Sequence, residues 1–470
     1  MDWEWTGWWH LALVIGVLLW AWALLHILTT RYTPAGTSAW LLAVLLLPYV
    51  AVPLYAVFGG RKLKRVMRRK AHIHLHRDSE VDVAVTGEID RLLRGFGLPG
   101  ATCGNHVELH GDGVASWHAL VDLIEDATRS IDLMTYVIKQ DATGKALVER
   151  LAVKARQGVK VRLLYDSFGS FTTRRSLFDP LVEAGGQVLE FMPTRWWPFR
   201  SRTNLRNHRK LLVVDGKVAW AGRMNIAEEY LGATPRMMDG GLRWLDISFT
   251  LQGPAVQVMG QLFHSDWAFA LGEDRAQQQE HEDEAVAPVF YGDEGVVQIV
   301  PSGPDVDYDP LYATLVISAF EARDRLWIAT PYYVPNEPLN EALCLAALRG
   351  VDVRILVPRR SNHKLPDLAR GPYLRDLQRA GGKVYLLPEM MHAKLLVLDD
   401  RLAIHGSANV DARSLFLNFA VATICYSRSD VDAARRWMEN LFPKAMLRPL
   451  AATIWQRIRE GAMRLLTPLL

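Results

Sequence analysis

Two short arrays of histidine, lysine, aspartate, glycine and asparagine repeat along the chain. His208, Lys210, Asp215, Gly222 and Asn225 make the first; His392, Lys394, Asp399, Gly406 and Asn409 make the second. In both, lysine follows histidine by two residues, aspartate by seven, glycine by fourteen and asparagine by seventeen. A lone His-x-Lys is ordinary surface chemistry. The same five residue types at the same offsets, twice, imply two equivalent half-sites that meet in one phosphodiester-cleaving centre. An imidazole can attack phosphorus and hold it as a covalent phospho-histidine, dividing one hard displacement into two easier ones. The other imidazole would protonate the departing alcohol and then deprotonate the incoming one. Two lysines and two asparagines would donate to the equatorial oxygens as negative charge grows. No acidic cluster accompanies the motifs, so cation assistance is expected from lysine, with no metal and no cofactor.

Strands must present these groups. Leu211-Leu212-Val213-Val214 and Leu395-Leu396-Val397-Leu398 read as strands, in which residues i and i+2 point the same way. That places His208 with Lys210, and His392 with Lys394, on one face each. Gly222 and Gly406 would let a neighbouring strand approach. Asp215 and Asp399 fall on the opposite strand face and are expected as structural anchors.

The surroundings repeat as well. Ile131–Val137 reads as a strand, Lys145–Arg156 as a helix and Val159–Tyr165 as a strand; Leu326–Thr330, Ala342–Arg349 and Val351–Val357 repeat the order. Ala184-Gly185-Gly186 recurs as Ala380-Gly381-Gly382. Duplication of an α/β unit accounts for this, with one copy over 106–272, an acidic linker over 273–290 and the second copy over 291–445. The first copy carries an insertion, Arg195-Trp196-Trp197-Pro198-Phe199-Arg200-Ser201-Arg202, expected to be a lip dipping into a membrane interface.

The 470 residues are 50% hydrophobic with a net charge of +3, which speaks neither for nor against nucleic acid. Three scattered cysteines make no disulfide framework. Two apolar runs, Trp8–Leu28 and Ala39–Phe58, lie within residues 1–60 and predict a helical membrane anchor; Pro48 and Pro53 interrupt the second run. Arg61-Lys62-Leu63-Lys64-Arg65 and Arg68-Arg69-Lys70 follow, opening a connector over 61–105. The positive-inside rule puts this basic side and all that follows in the cytoplasm; the cluster either sets that topology alone or also sits against anionic headgroups. His72, His74 and His76 read as part of a solvated linker. In the tail, 446–470, Ile454, Trp455, Ile458, Ala462 and Leu465 share one helical face. That face could meet a membrane or pack on the catalytic body.

The two motifs resemble those of the phospholipase D superfamily, whose pattern is His-x-Lys, four residues, Asp, then Gly-Gly/Ser-x-Asn. Ala221–Tyr230, Thr330–Pro335, Asn409–Ser414 and Leu417-Asn418-Phe419 are similar, within it, to the bacterial cardiolipin synthases. The resemblance implies two tandem phospholipase D-like α/β/α domains with pseudo-two-fold symmetry, preceded by the anchor, at the bacterial cytoplasmic membrane. It implies a phosphatidyltransferase that condenses two phosphatidylglycerols into cardiolipin and glycerol through a phosphatidyl-histidine. The site would comprise His208, Lys210, Asn225, His392, Lys394 and Asn409, supported by Asp215, Asp399, Asp246 and Ser407. Partners would be phosphatidylglycerol and the bilayer, not nucleic acid. Rival readings are a phospholipase D-type hydrolase, a transferase taking phosphatidylethanolamine as co-substrate, and a nucleic-acid phosphodiesterase. Three positions depart from the pattern. Arg223 stands where Gly or Ser is usual, Ser248 where a His is common, and Ala420 where a Glu usually follows Asn-Phe. If each acid orients the histidine of its own half, Asp246 serves His208 and makes it the nucleophile, with His392 as acid/base.

Overall fold

The structure, a computed structural model, describes residues 3–29, 34–58, 70, 86–193, 205–273, 295–449 and 451–464. The Trp-rich lip, the three alternating histidines, nearly all of the acidic linker and the basic cluster apart from Lys70 lie outside them. The chain forms two compact units, one holding residues 1–66 and the other the rest apart from 194–204.

In the first unit, helix Trp3–Thr29 is followed by helices Pro34–Leu46 and Pro48–Phe58. The second apolar run is therefore two helices rather than one. The break falls at Leu47, because the residue before a proline is driven out of helical conformation; Pro53 is accommodated inside its helix. Ala23, Ile27, Val44, Ala51, Val52 and Tyr55 form a small core. The Trp20 indole donates to the Val44 carbonyl at 3.2 Å, and His26 Nδ1 lies 2.5 Å from the Tyr55 hydroxyl. Around this core the surface is apolar, with Leu13, Leu18, Leu25, Leu28, Leu46 and Tyr49 all exposed. Among the described residues no helix is long and apolar enough to cross a membrane.

The second unit carries the duplication. Its first sheet contains β1 (His106–His110), β2 (Ser130–Thr135), β3 (Lys160–Asp166), β4 (Gln187–Phe191), β5 (Leu211–Val214), β6 (Val218–Gly222) and β7 (Ser248–Gln252), in the order β1-β7-β6-β5-β2-β3-β4. Its second sheet contains β8 (Val297–Ser302), β9 (Arg325–Ala329), β11 (Asp352–Pro358), β12 (Lys383–Leu387), β13 (Leu395–Leu398), β14 (Leu402–Gly406), β16 (Ala420–Cys425) and β17 (Met446–Leu447), in the order β17-β12-β11-β9-β13-β14-β16-β8. A two-stranded parallel ribbon joins β10 (Tyr333–Val334) to β15 (Val410–Asp411). The order β7-β6-β5-β2-β3-β4 maps onto β16-β14-β13-β9-β11-β12, and β1 onto β8. In each sheet three strands are parallel (β2-β3-β4 and β9-β11-β12) and the motif strand runs antiparallel to the first of them.

Helices Gly113–Asp126 and Ala142–Arg156 bury Leu120, Ile124, Leu147 and Leu151 against Ile131, Leu133, Val161, Leu163 and Leu212. Asp112 and Asp141 begin them by accepting from exposed N–H groups of the first turn. Helix Ala255–Leu271 follows β7 and packs on both its own sheet and β8, while helix Arg428–Glu439 packs on β13, β14 and β1. The two domains thus share helices across their junction. A common core in which Leu109, Leu245 and Ile247 meet Trp327, Leu395 and Val431 seals that junction.

Candidate active site

Each motif histidine sits immediately upstream of a central strand, and each is pinned by backbone from the opposite domain. His392 N–H donates to the Leu245 carbonyl at 2.7 Å, and Leu245 N–H donates to Met390 at 2.9 Å. His208 N–H donates to the Phe419 carbonyl at 2.8 Å, and Phe419 N–H donates to Arg206 at 2.9 Å. Leu245 is bridged to Met391, and Phe419 to Asn207, both in parallel sense. The residues following these clamps, Asp246 and Ala420, therefore occupy equivalent places beside the histidine of the other half.

This crossing overturns the sequence-based pairing of Asp246 with His208. The Asp246 carboxylate lies 2.9 Å from His392 Nδ1 and is fully buried. The expectation failed because the acids serve the opposite half rather than their own. His392 keeps a carboxylate partner, and His208 has Ala420 in that place. The reason for making His208 the nucleophile falls with it.

The site is rich in basic side chains, and they are buried. Burial, and then the Lys394 charge, lower the His392 pKa to about 4 against the pull of Asp246. Hydrogen bonding and Coulomb attraction from His392, with Lys394 and Arg223, hold the Asp246 carboxyl below its usual range despite burial. Burial and then Lys210, Lys394, Arg413 and His392 push His208 well below the usual imidazole value. Both lysines thus act on one histidine, which is how the two half-sites come together. Lys210 Nζ donates to the His208 carbonyl at 2.9 Å. Lys394 Nζ donates to the His392 carbonyl at 2.7 Å and lies 3.1 Å from its Nε2. Burial pushes the Lys210 ammonium down to about 7 and also holds Lys394 well below the ordinary lysine value. Asp246 is the anion these bases face, and a phosphodiester placed among them would raise the pKa of each.

Asn225 and Asn409 are buried, and the side-chain oxygen of each lacks a hydrogen-bond partner among the described residues. Asn409 donates to Ser414 at 3.1 Å. Ser407 is turned to β16, its hydroxyl accepting from Val421 N–H at 3.0 Å. Asp215 and Asp399 stand at the hairpin corners after β5 and β13, with φ of 54° and 49°. Asp215 accepts from the N–H groups of Thr128, Arg129 and Ser130, and Asp399 from those of Arg323, Asp324 and Arg325. A Cβ on Gly222 would lie 2.8 Å from the Ser248 Cβ, so glycine is needed there; at Gly406 the nearest atom would be at an ordinary 3.4 Å. Arg223 is fully buried, donates to the Gly406 carbonyl at 2.5 Å, and has two terminal nitrogens with no partner among the described residues. Burial brings its pKa down to about 9.

Aromatic side chains enclose both imidazoles, and sequence reasoning did not find them. Tyr136 lies against His208 with ring centroids 3.9 Å apart, and Tyr230 meets His392 edge-on at 5.0 Å. Arg206, stacked on Phe168 and 3.9 Å from Asp166, precedes His208. The available signal was position: Thr135-Tyr136 and Thr330-Pro331 both end a strand beside a motif strand, where side chains reach the site.

The family description "Cardiolipin synthase, PLD-like domain" matches residues 120–237 and 316–442, and "Phospholipase_D-nuclease N-terminal" matches 18–60. Cardiolipin synthase 1 of Bacillus anthracis is 32% identical over 464 residues, covering 93% of this chain and 90% of that protein. Cardiolipin synthase A of Pseudomonas putida is 32% identical over 469 residues, covering 95% of each. Phosphatidylserine synthase of Haemophilus influenzae shares the fold, with a TM-score of 0.61, 14% identity, and coverage of 77% of this chain and 95% of that one.

Proposed function

Because the chain belongs to the cardiolipin synthase family of the phospholipase D superfamily, we propose that its two motifs work as one phosphatidyltransferase centre with His392 as nucleophile. The overall reaction condenses two phosphatidylglycerols into cardiolipin and glycerol. The observation that carries the assignment of His392 is the 2.9 Å contact between its Nδ1 and Asp246. An Nδ1–H donated to a carboxylate puts the lone pair on Nε2, where Lys394 Nζ lies 3.1 Å away, and raises its basicity. Nε2 attacks phosphorus of the donor lipid, and the bond from phosphorus to the glycerol headgroup breaks. His208 gives that glycerol oxygen a proton. A hydroxyl of the second phosphatidylglycerol then loses its proton to His208 and attacks, and the bond from phosphorus to nitrogen breaks.

His208 must be protonated to act first as an acid. Burial, and then Lys210, Lys394, Arg413 and His392, oppose this. An entering phosphodiester carries the negative charge that reverses it. Lys210, Lys394, Asn225 and Asn409 donate to the phosphoryl oxygens, and Asp215, Asp399 and Ser407 hold the strands that carry them. The first unit anchors the enzyme, its exposed leucines entering the hydrocarbon. The basic segment 61–69 keeps the catalytic domains at the cytoplasmic face of the bacterial inner membrane.

The test uses a phosphatidyl ester of nitrophenol, whose departure needs no acid. His208→Ala is expected to accumulate a phosphatidyl-enzyme and His392→Ala to form none; the opposite pattern would return the nucleophile to His208. Product analysis with phosphatidylglycerol alone, and with phosphatidylethanolamine added, should show cardiolipin and glycerol from phosphatidylglycerol alone. Phosphatidic acid as the main product would make the enzyme a hydrolase.

A further inference from the structure

The C-terminal helix Ile454–Arg464 is attached to the catalytic body by its polar side. Its start is closed by a reciprocal box: Gln456 N–H donates to the Thr453 hydroxyl at 3.2 Å, and Thr453 N–H donates to the Gln456 side chain at 2.9 Å. The connection before it is tied by Arg448, which donates to Gln378 at 2.7 Å and whose carbonyl accepts from the same side chain at 2.8 Å. Within the helix, Glu460 pairs with buried Arg375, and its carboxylate occupies the space that a Cβ on Gly371 would need.

At roughly 100° per residue, Ile454, Trp455 and Ile458 share a face that points away from Glu460. They are 64%, 77% and 55% exposed. An amphipathic helix on a globular body normally buries its apolar stripe; this one presents it outward. Packing of that face on the body, one of the two readings open in the sequence, is therefore excluded for these three residues. Ala462 has no described side chain, and Leu465 lies outside the described residues.

The position of the helix ties that face to the active site. It packs on helix Lys364–Ala369, where Leu365 is also 48% exposed. That helix begins directly after Asn362 and His363. The Tyr332 hydroxyl donates to Asn362 at 2.5 Å, and its ring lies 5.5 Å from that of His363. The Tyr332 carbonyl accepts from the Thr330 hydroxyl at 2.9 Å, and that hydroxyl accepts from the N–H of Val410, the neighbour of Asn409, at 3.5 Å. The chemistry of the occupant follows from charge: the helix has Arg457, Arg459 and Arg464, and its one acid, Glu460, is already paired.

We propose that helix Ile454–Arg464 lies flat on an anionic phospholipid surface, with Ile454, Trp455 and Ile458 inserted at the boundary of headgroups and acyl chains. It holds the catalytic body against the layer from which substrate is drawn. The inference rests on the phospholipid-transferase reading above.

The test uses the full chain with Cys103→Ser, Cys344→Ser and Cys425→Ala, and an environment-sensitive fluorophore on Ile458→Cys. On vesicles of phosphatidylglycerol and phosphatidylcholine the label should shift to the blue, quenched by brominated acyl chains rather than by aqueous iodide. The triple variant Ile454→Ser, Trp455→Ser, Ile458→Ser should lose about tenfold or more of vesicle turnover, since the apolar area it inserts is gone. Turnover of monomeric short-chain phosphatidylglycerol should stay within about twofold, because no contact to the site is removed. A label that stays open to iodide on vesicles, with vesicle turnover unchanged, overturns the proposal. So does a label protected in detergent alone in proportion to protein concentration, which would mean that a second copy covers the face. If the triple variant also loses short-chain turnover, the label decides. If the parent enzyme turns over neither substrate, the transferase reading fails while the label still reports docking.

Discussion

Asp246 and Ala420 follow equivalent backbone clamps, and the difference between them is one carboxylate. Asp246→Asn preserves shape while removing the charge that raises the His392 pKa. The imidazole should then titrate lower still, and its tautomer is no longer fixed. We expect turnover to fall by about 10²–10⁴-fold, as when a catalytic histidine loses its orienting acid. Lipid-product assays and NMR of ring-labelled histidine check the two halves of this expectation. Ala420→Asp is the converse change. It supplies an anion beside His208, whose pKa should rise. An unmoved His208 resonance would show that Ala420 does not face the ring.

The same electrostatics predict a proton balance. His208, His392, Lys210 and Lys394 all titrate below their ordinary values, chiefly through burial. An anion raises all four, so the complex binds more protons than the free enzyme. Binding of vanadate or inorganic phosphate should therefore take up protons near pH 7 and weaken as pH rises through that region. Calorimetry in buffers of different ionisation enthalpy measures the uptake. Proton release would mean that the site is already charged.

At the scale of elements, the motif aspartates hold corners. Asp215 gathers three N–H groups of the turn before β2 and has a left-handed φ. Those bonds hold its pKa below the ordinary carboxylate value although burial opposes them. A carboxylate with a depressed folded pKa stabilises above its unfolded value of about 3.9, and that contribution is lost as pH falls through the folded pKa. Asp215→Ala should destabilise the fold by about 1 kcal/mol at pH 7, through the lost hydrogen bonds, whose mostly exposed donors turn to water, and the left-handed φ. The loss should shrink in acid, as read by urea denaturation at two pH values. A loss independent of pH would leave only the backbone term.

Much at this scale was legible in the sequence. The strands around Ile131, Val159, Leu326 and Val351 and the helix ending at Arg156 fall within a few residues of their expected limits, because apolar alternation and turn glycines are local signals. The crossing of Asp246 to His392 was not, since one chain shows the order of strands but not which domain clamps which histidine. Tyr136 and Tyr230 escaped for a related reason: neither belongs to the repeated spacing, and only packing brings them to the rings. The division of the second apolar run was half visible, in Pro48.

At the scale of the molecule, Lys70 is the most informative correction. In the sequence it closes a basic cluster expected to face headgroups. In the structure it is buried, paired with Asp266 and Asp305, while Arg209, the middle residue of the first His-x-Lys, bonds the same two carboxylates at 3.0 and 3.1 Å. Asp266 comes from the helix after β7 and Asp305 from the loop after β8, so one neutral quartet joins both domains beside His208. Lys70→Met removes one cation and leaves a buried carboxylate in excess. Breaking such a pair from one side costs about 3–5 kcal/mol. Arg209 and Lys70 hold Asp305 below the ordinary carboxylate range, so its folded pKa must rise in the variant. The difference from the parent should be full at neutral pH and diminish as acid protonates the unpaired group. Adding Asp305→Asn restores the charge balance and should recover part of the loss, a coupling that a double-mutant cycle reads directly. Strictly additive losses would mean that Lys70 contributes by packing against Phe419, whose ring lies 4.5 Å from its Nζ, and not by charge.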